Sequence, residues 1–385
     1  MGAYESGVYR NIFKEIGKTD EEIAIRLKEI TQIFFYDEKE RIYHESGNDM
    51  GYLTDTGNND ARTEGMSYGM MMCVQLNMKE EFDRIWKWAK TYMFMTEGEN
   101  EGYFAWSCQV DGKKNANGPA PDGEEFFAMA LFFASHRWGD GTGIFEYSKE
   151  AKDLLHTCIH KGENGSVGSP MWNKENHQIL FVPGIDFTDP SYHLPHFYEL
   201  FALWAYEEDK EFFKKAADAS RKYLVTACHP QTGLNAEYAN FDGSPMNKEL
   251  PWGQFGDFFS DAYRTAANIG LDAEWFGKDN GQLAVPLKIM KFFKTDLEAV
   301  RCAYKVDGTP LDKTVLHPVG LVATIAQSAL AIPFSEDENS DFTIAKKWVE
   351  WFWNQPLREG VRRYYDNCLY IFAFLALSGN YRIWK

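Results

Sequence analysis

The sequence predicts an all-α protein. The expected fold is an (α/α)6 barrel of six helical hairpins, whose inner helices run parallel and bring their N-terminal ends to one cleft. Three observations predict it. Helical periodicity recurs from end to end with few convincing strands. Alternate helical segments differ in character, every second one being strongly apolar and those between carrying more charge. The side chains of unusual chemistry fall at the starts of the apolar segments, roughly 50 to 70 residues apart.

The first predicted helix covers 21–35. The second, 63–77, opens with Arg62-Thr63-Glu64-Gly65-Met66-Ser67-Tyr68-Gly69-Met70. Met66, Met70, Met71, Met72 and Val74 mark it as buried, and Glu64 falls in its first turn. The third spans 79–94. A connection over 96–122 leads to the fourth, 123–137, which is preceded by Asp122 and apolar from Phe126 to Phe133. The fifth covers 147–159. After the loop 161–194, Tyr192 leads into the sixth, 195–207, and the seventh, 209–227, carries outer-layer charges from Asp209 to Lys222. The loop 228–256 precedes the eighth, 258–270, with Asp261 at its start. The ninth covers 283–294. The connection 303–316 precedes the tenth, 317–331, which begins at His317 and is apolar from Leu321 to Leu330. The eleventh is 340–353. The twelfth, 364–377, opens on Tyr364-Tyr365-Asp366 and is apolar from Leu369 to Leu377. Long connections before apolar helices are expected to wall the cleft. No low-complexity linker divides the chain, so one domain spanning 1–385 is expected.

Composition narrows the function. A formal net charge of -17 disfavours nucleic acid and anionic membrane surfaces as partners and favours a neutral substrate. Twelve Trp, 20 Tyr and 29 Phe suit a groove that stacks rings on sugar faces. No apolar run approaches the ~18 residues of a membrane span, and residues 1–15 lack the basic and apolar regions of a signal peptide. The six Cys are scattered and read as buried, reduced thiols, so a cytoplasmic location is expected. The sequence leaves the oligomeric state open.

Three acidic residues stand out. Glu64 sits among Arg62, Tyr68 and two glycines at the head of a buried helix. A half-desolvated carboxyl group there stays protonated near neutrality and can act as a general acid. The plainer reading is a carboxylate complementing the helix dipole. In Pro119-Ala120-Pro121-Asp122-Gly123-Glu124-Glu125, Asp122 reads as an N-cap or as a site acid, and Glu124 and Glu125 as dipole and capping groups. In Phe258-Phe259-Ser260-Asp261-Ala262-Tyr263-Arg264, Arg264 stands three residues after Asp261. That pairing is either a helix salt bridge or the means of favouring the ionised form that a general base needs. One protonated and one ionised carboxyl group from different inner helices are the minimum machinery for glycosidic hydrolysis. Trp106, in Tyr103-Phe104-Ala105-Trp106-Ser107, and Tyr192 are candidate sugar platforms.

Metal and cofactor sites are not expected. His156 and His160 are four apart and share a helix face, but the helix belongs to the outer layer and no third ligand is evident. His193 and His196 straddle Pro195. Asp55-Thr56-Gly57-Asn58-Asn59-Asp60 lacks the spacing of a calcium loop and reads as turns leading to Glu64.

The Glu64-Gly65-Met66 and Tyr68-Gly69 elements, the segment from Ala120 to Leu131 and the segment from Asp261 to Arg264 resemble the motifs of glycoside hydrolase family 8. The likeness extends over nearly the whole chain. It is strongest to the branch of bacterial reducing-end xylose-releasing exo-oligoxylanases, over 62–72, 117–139, 188–204, 258–276, 316–322 and 362–380. The resemblance implies an (α/α)6 barrel and hydrolysis of β-1,4 linkages with inversion. It implies Glu64 as general acid, Asp261 as general base and Asp122 as a third acid at the central subsite. Arg62, Tyr68, Trp106, Tyr192, Tyr198, Arg264 and Tyr365 would line the cleft. The loop Leu316-His317-Pro318 would close it beyond the leaving sugar, with His317 meeting the reducing-end hydroxyl. Pro121 and Glu124 stand where the family favours Ser or Thr and then Asp, and Ser67 where Gly is frequent; these departures follow the oligoxylanase branch. The implied substrate is a xylooligosaccharide of three or more units. The alternatives are an endo-acting β-1,4-glucanase, xylanase or chitosanase on the same fold, and a non-catalytic oligosaccharide-binding protein.

Overall fold

The computed structural model describes residues 1–385, and its frame is fourteen α-helices. They are α1 (Ala3–Ser6), α2 (Ile12–Glu15), α3 (Asp20–Tyr36), α4 (Thr63–Leu76), α5 (Lys79–Trp88), α6 (Pro121–Trp138), α7 (Tyr147–His160), α8 (Pro195–Trp204), α9 (Lys210–Ala227), α10 (Arg264–Phe276), α11 (Val285–Phe293), α12 (Pro318–Gln327), α13 (Asp341–Asn354) and α14 (Arg363–Leu377). All twelve expected helices are present as α3 to α14. Additional to them are the two short N-terminal helices and three antiparallel strand pairs: β1 (Tyr43–Ser46) with β2 (Met50–Leu53), β3 (Asp60–Arg62) with β4 (Ser107–Gln109), and β5 (Cys302–Tyr304) with β6 (Pro310–Thr314).

The even helices form the inner layer. α4 packs on α6, α6 on α8, α8 on α10, α10 on α12 and α12 on α14, which returns to α4. Burial follows this order. Every residue of α14 from Tyr364 to Leu377 is buried, as are Pro121 to Ala134 of α6, whereas α7, α9 and α13 bury only one stripe. A helix apolar on all sides has to be surrounded by protein, and an amphipathic one covers it. Three inner helices, α6, α8 and α12, begin with proline, whose fixed φ suits the first helical position and whose missing N–H is not needed there. No helix is long and apolar enough to cross a membrane.

The expected eighth helix starts late. Phe258 is held extended by its N–H bond to the Tyr304 carbonyl (2.8 Å), and Ser260–Tyr263 form a 3-10 turn before α10 begins at Arg264. Asp261 therefore stands on a turn ahead of the helix. Two glycines permit close approach at the heads of α4 and α6. A Cβ on Gly65 would lie 2.5 Å from the Tyr364 hydroxyl, and one on Gly123 would lie 2.5 Å from Cβ of Thr63.

Candidate active site

The site is organised around one guanidinium. Arg264, buried at the start of α10, donates from Nη1 to Glu64 Oε2 (3.1 Å), Asp122 Oδ2 (3.0 Å) and the Tyr68 hydroxyl (3.0 Å). Its Nη2 lies 3.6 Å from Asp189 Oδ2 and 3.6 Å from Asp261 Oδ1. The rings of Tyr192 and Tyr365 flank it at 5.5 and 5.9 Å. One cation thus faces four carboxyl groups, and in a poorly solvated site they are not all ionised at neutral pH.

Glu64 feels this directly. Burial raises its pKa to about 7, and Asp122 and Asp261 push the same way against Arg264 and the Tyr364 hydroxyl, which donates to Oε1 at 2.9 Å. Burial also raises Asp122, opposed by Arg264 and by its own bond from the Gly123 N–H (3.0 Å). Asp189 is raised to about 8 by burial, although its Oδ1 accepts the Ser191 N–H at 2.7 Å. Asp261 is the most open of the four, with 35% of its side chain accessible. Its N–H points to Glu237 Oε1 at 3.5 Å; burial holds the Glu237 carboxyl well above its usual range.

Two spaces meet over Glu64 and Asp261. The wider, about 1140 Å³, is walled by Trp106, Tyr192, Tyr238, Trp252 and Phe181. The smaller, about 660 Å³, is bounded by polar groups including Asn58, Glu237, His317, Arg362 and Tyr365. Trp106 is set by the β3–β4 pair, through the Thr63 N–H bond to its carbonyl (2.9 Å), and its ring lies 5.3 Å from the Arg62 guanidinium. Arg62 is fixed by Asp55 (3.2 Å) and Asp60 (3.1 Å). At the far side, buried Asp366 accepts the Gly320 N–H (2.7 Å) and holds His317 Nδ1 at 2.9 Å. A carboxylate on Nδ1 sets that nitrogen as the N–H and leaves Nε2 for another partner. Arg358 also reaches Asp366 and the Leu316 carbonyl.

A family model described as glycosyl hydrolases family 8 matches residues 45–377. The chain belongs to that family. It is 57% identical over 385 residues to the reducing end xylose-releasing exo-oligoxylanase of Halalkalibacterium halodurans, covering 100% of this chain and 96% of that one. The enzyme of that description from Bifidobacterium adolescentis is 49% identical over 374 residues, covering 97% and 96%. A solved structure of the Paenibacillus barcinonensis protein complexed with xylose superposes with a TM-score of 0.95 at 53% identity and covers 100% of both chains.

Within this family 8 site the structure gathers Glu64, Asp122, Asp261, Arg62, Tyr68, Trp106, Tyr192, Arg264, His317 and Tyr365 around the two spaces or their central arginine. Tyr198 departs from expectation. It is fully buried behind the site, where its hydroxyl donates to Glu125 and to the Tyr192 carbonyl (3.0 Å), so it supports Tyr192 from below and lines neither space. Glu124 and Glu125 are not first-turn surface charges either. Both are buried with carboxyl groups pushed well up by burial, and Glu124 accepts the Phe104 N–H at 2.9 Å. Asp189, Glu237, Tyr364 and Trp252 were missed by residue-level reading. Tyr364 alone carried a signal, as a polar group opening an apolar helix.

The histidines divide. His193 and His196 are buried, with pKa values lowered to about 3 by burial, and His193 is bonded to Ser220 (2.9 Å) and Thr188 (3.1 Å), which makes a neutral structural pair. Asp55 accepts the Gly57 N–H (2.8 Å) and the Asn58 amide (2.6 Å), the expected turn. His156 and His160 do acquire a third potential ligand, Asp209, contrary to the reading of the sequence.

Proposed function

We propose that this chain hydrolyses β-1,4-xylosidic bonds of xylooligosaccharides of three or more units with inversion, releasing xylose from the reducing end. The observation that carries this reading is the unequal pair of spaces sharing Glu64 and Asp261. An aromatic-walled space suits several sugar units, and a smaller polar one, bounded by His317 and Arg362, suits the leaving xylose. The relatives' activity supports the same substrate.

Glu64 is the general acid, protonating the glycosidic oxygen as the bond breaks. Asp261 is the general base, taking a proton from water that attacks the opposite face of the anomeric carbon. Asp122, anchored by Arg264, holds the sugar between them. Tyr192 and Trp106 present ring faces, and His317 offers Nε2 to the reducing-end hydroxyl. Inversion needs ~6.5–9.5 Å between the two carboxyl groups so that water fits. The fold that supports this reading is an (α/α)6 barrel, the ring of α4, α6, α8, α10, α12 and α14 being its inner wall and the single domain running 1–385. A cytoplasmic location belongs to the same reading, supported by six unbonded cysteines, five of them buried.

Proton NMR of early products from reducing-end-labelled xylotriose tests it. Labelled xylose and unlabelled xylobiose are expected, the new reducing end appearing first as the α-anomer. Label in xylobiose would defeat the reducing-end assignment, and an initial β-anomer the inverting one. His317→Ala is expected to open the small space, so that xylotetraose yields xylobiose as well as xylose; an unchanged product profile would remove His317 from its role.

A further inference from the structure

The geometry points to a zinc site on the outer layer, formed by His156, His160 and Asp209. His156 and His160, one turn apart on α7, present their rings side by side with centroids 4.3 Å apart. Asp209, in the turn that leads into α9, reaches both: Oδ2 lies 2.9 Å from His156 Nδ1 and Oδ1 lies 2.7 Å from His160 Nε2. The three donor atoms lie within 4.8 Å of one another. Two imidazoles and a carboxylate make a zinc donor set, and with ligand bonds of ~2.0–2.1 Å at tetrahedral angles the donor atoms stand roughly 3.3 Å apart. The imidazole–carboxylate distances of 2.9 and 2.7 Å are shorter than that spacing, so each imidazole has to move outward from Asp209 to admit the ion.

Two further features favour a cation there. The Asp209 side chain is wholly inaccessible, yet no lysine or arginine pairs with it. A buried carboxylate without a fixed counter-charge is costly, and a divalent ion supplies one. Glu163 Oε2 lies 2.6 Å from His160 Nδ1. A carboxylate on the distal nitrogen orients the imidazole and turns Nε2 toward the metal, the outer partner that histidine ligands usually have. The histidines are 41% and 31% accessible, so water completes the coordination from the solvent side. None of these residues borders the sugar spaces. The ion fastens the end of α7 to the start of α9, at the root of the 161–194 segment that carries Asp189 and Tyr192, and its role is a staple. The competing occupant is a proton, held on His160 between Asp209 and Glu163; burial opposes that charge, and the two carboxylates outweigh it and raise the histidine's pKa.

Titrating chelator-stripped protein with zinc chloride in a calorimeter, and with cobalt(II) in a spectrophotometer, decides between them. One zinc per chain is expected, with the intense visible absorption of four-coordinate cobalt. Glu163→Gln should weaken binding about 10-fold. His156→Ala removes a ligand itself and should weaken binding more than Glu163→Gln does, with the far-UV circular dichroism of the metal-free protein unchanged. No uptake by the wild-type chain, only the weak absorption of six-coordinate cobalt, or equal zinc uptake in wild type and His156→Ala would each overturn the site and leave a protonated histidine clamp.

Discussion

Glu64→Gln is expected to lower kcat on xylotriose by about 10³-fold or more, because it removes the carboxyl group that we propose as the general acid and that borders both spaces. The same substitution should make the protein more stable at alkaline pH. Below about pH 4.5 the carboxyl group is protonated in both folded and unfolded chains, so its titration contributes no difference. Between 4.5 and about 7 the unfolded chain releases the proton first, and wild-type stability falls as pH rises. Above about 7 the penalty is complete, on the order of 3 kcal/mol, and glutamine does not incur it. Melting temperatures at pH 5 and pH 8 check this: the variant should gain on wild type chiefly at pH 8. Equal melting at both values would show that Glu64 is not held protonated. Wild-type turnover should decline through about pH 7 on the alkaline side as the acid is lost. Asp261→Asn should also cut kcat by orders of magnitude, and near-normal turnover in either variant would dismiss that residue from its role.

Arg264→Met is expected to be the most destabilising single change at the site. The guanidinium is the shared partner of Glu64, Asp122, Asp189 and Asp261, at 3.0 to 3.6 Å. Removing it leaves buried carboxyl groups with neither solvent nor counter-charge, which costs about 3–5 kcal/mol. The cost depends on pH. Glu64, Asp122 and Asp189 all have raised pKa values, so at pH 5 more of them are neutral and less charge is left uncompensated than at pH 8. Urea unfolding at both values measures the difference. A loss as large at pH 5 as at pH 8 would mean that Arg264 acts by packing and not by charge.

The helices were legible because burial on one side imposes a 3.6-residue rhythm, and burial on all sides imposes an unbroken apolar run. The acids at the heads of inner helices were legible for a related reason: a polar group that interrupts the approach to an apolar helix has few structural excuses. Asp189 and Glu237 lie in the loops 161–194 and 228–256, where no periodicity marks which side chains turn inward. Tyr198 was misplaced because its helix is apolar around most of its circumference, so spacing from Tyr192 did not reveal that it faces Glu125. Glu124 and Glu125 occupied first-turn positions where acidic residues ordinarily face water, yet Phe104 and Tyr198 meet them in the interior.

By itself the sequence determined the helical architecture, the alternation of inner and outer layers and the segments that supply acid chemistry, since each is written in local patterns of polarity. Only the tertiary structure decided that Arg264 binds four carboxyl groups at once, that Glu64 titrates near 7 and that Asp209 completes a donor set with two histidines on another helix. Those properties depend on distances between residues dozens to hundreds of positions apart, and on how much water the packed chain leaves around them. No stretch of chain carries that information until the ring of helices has formed.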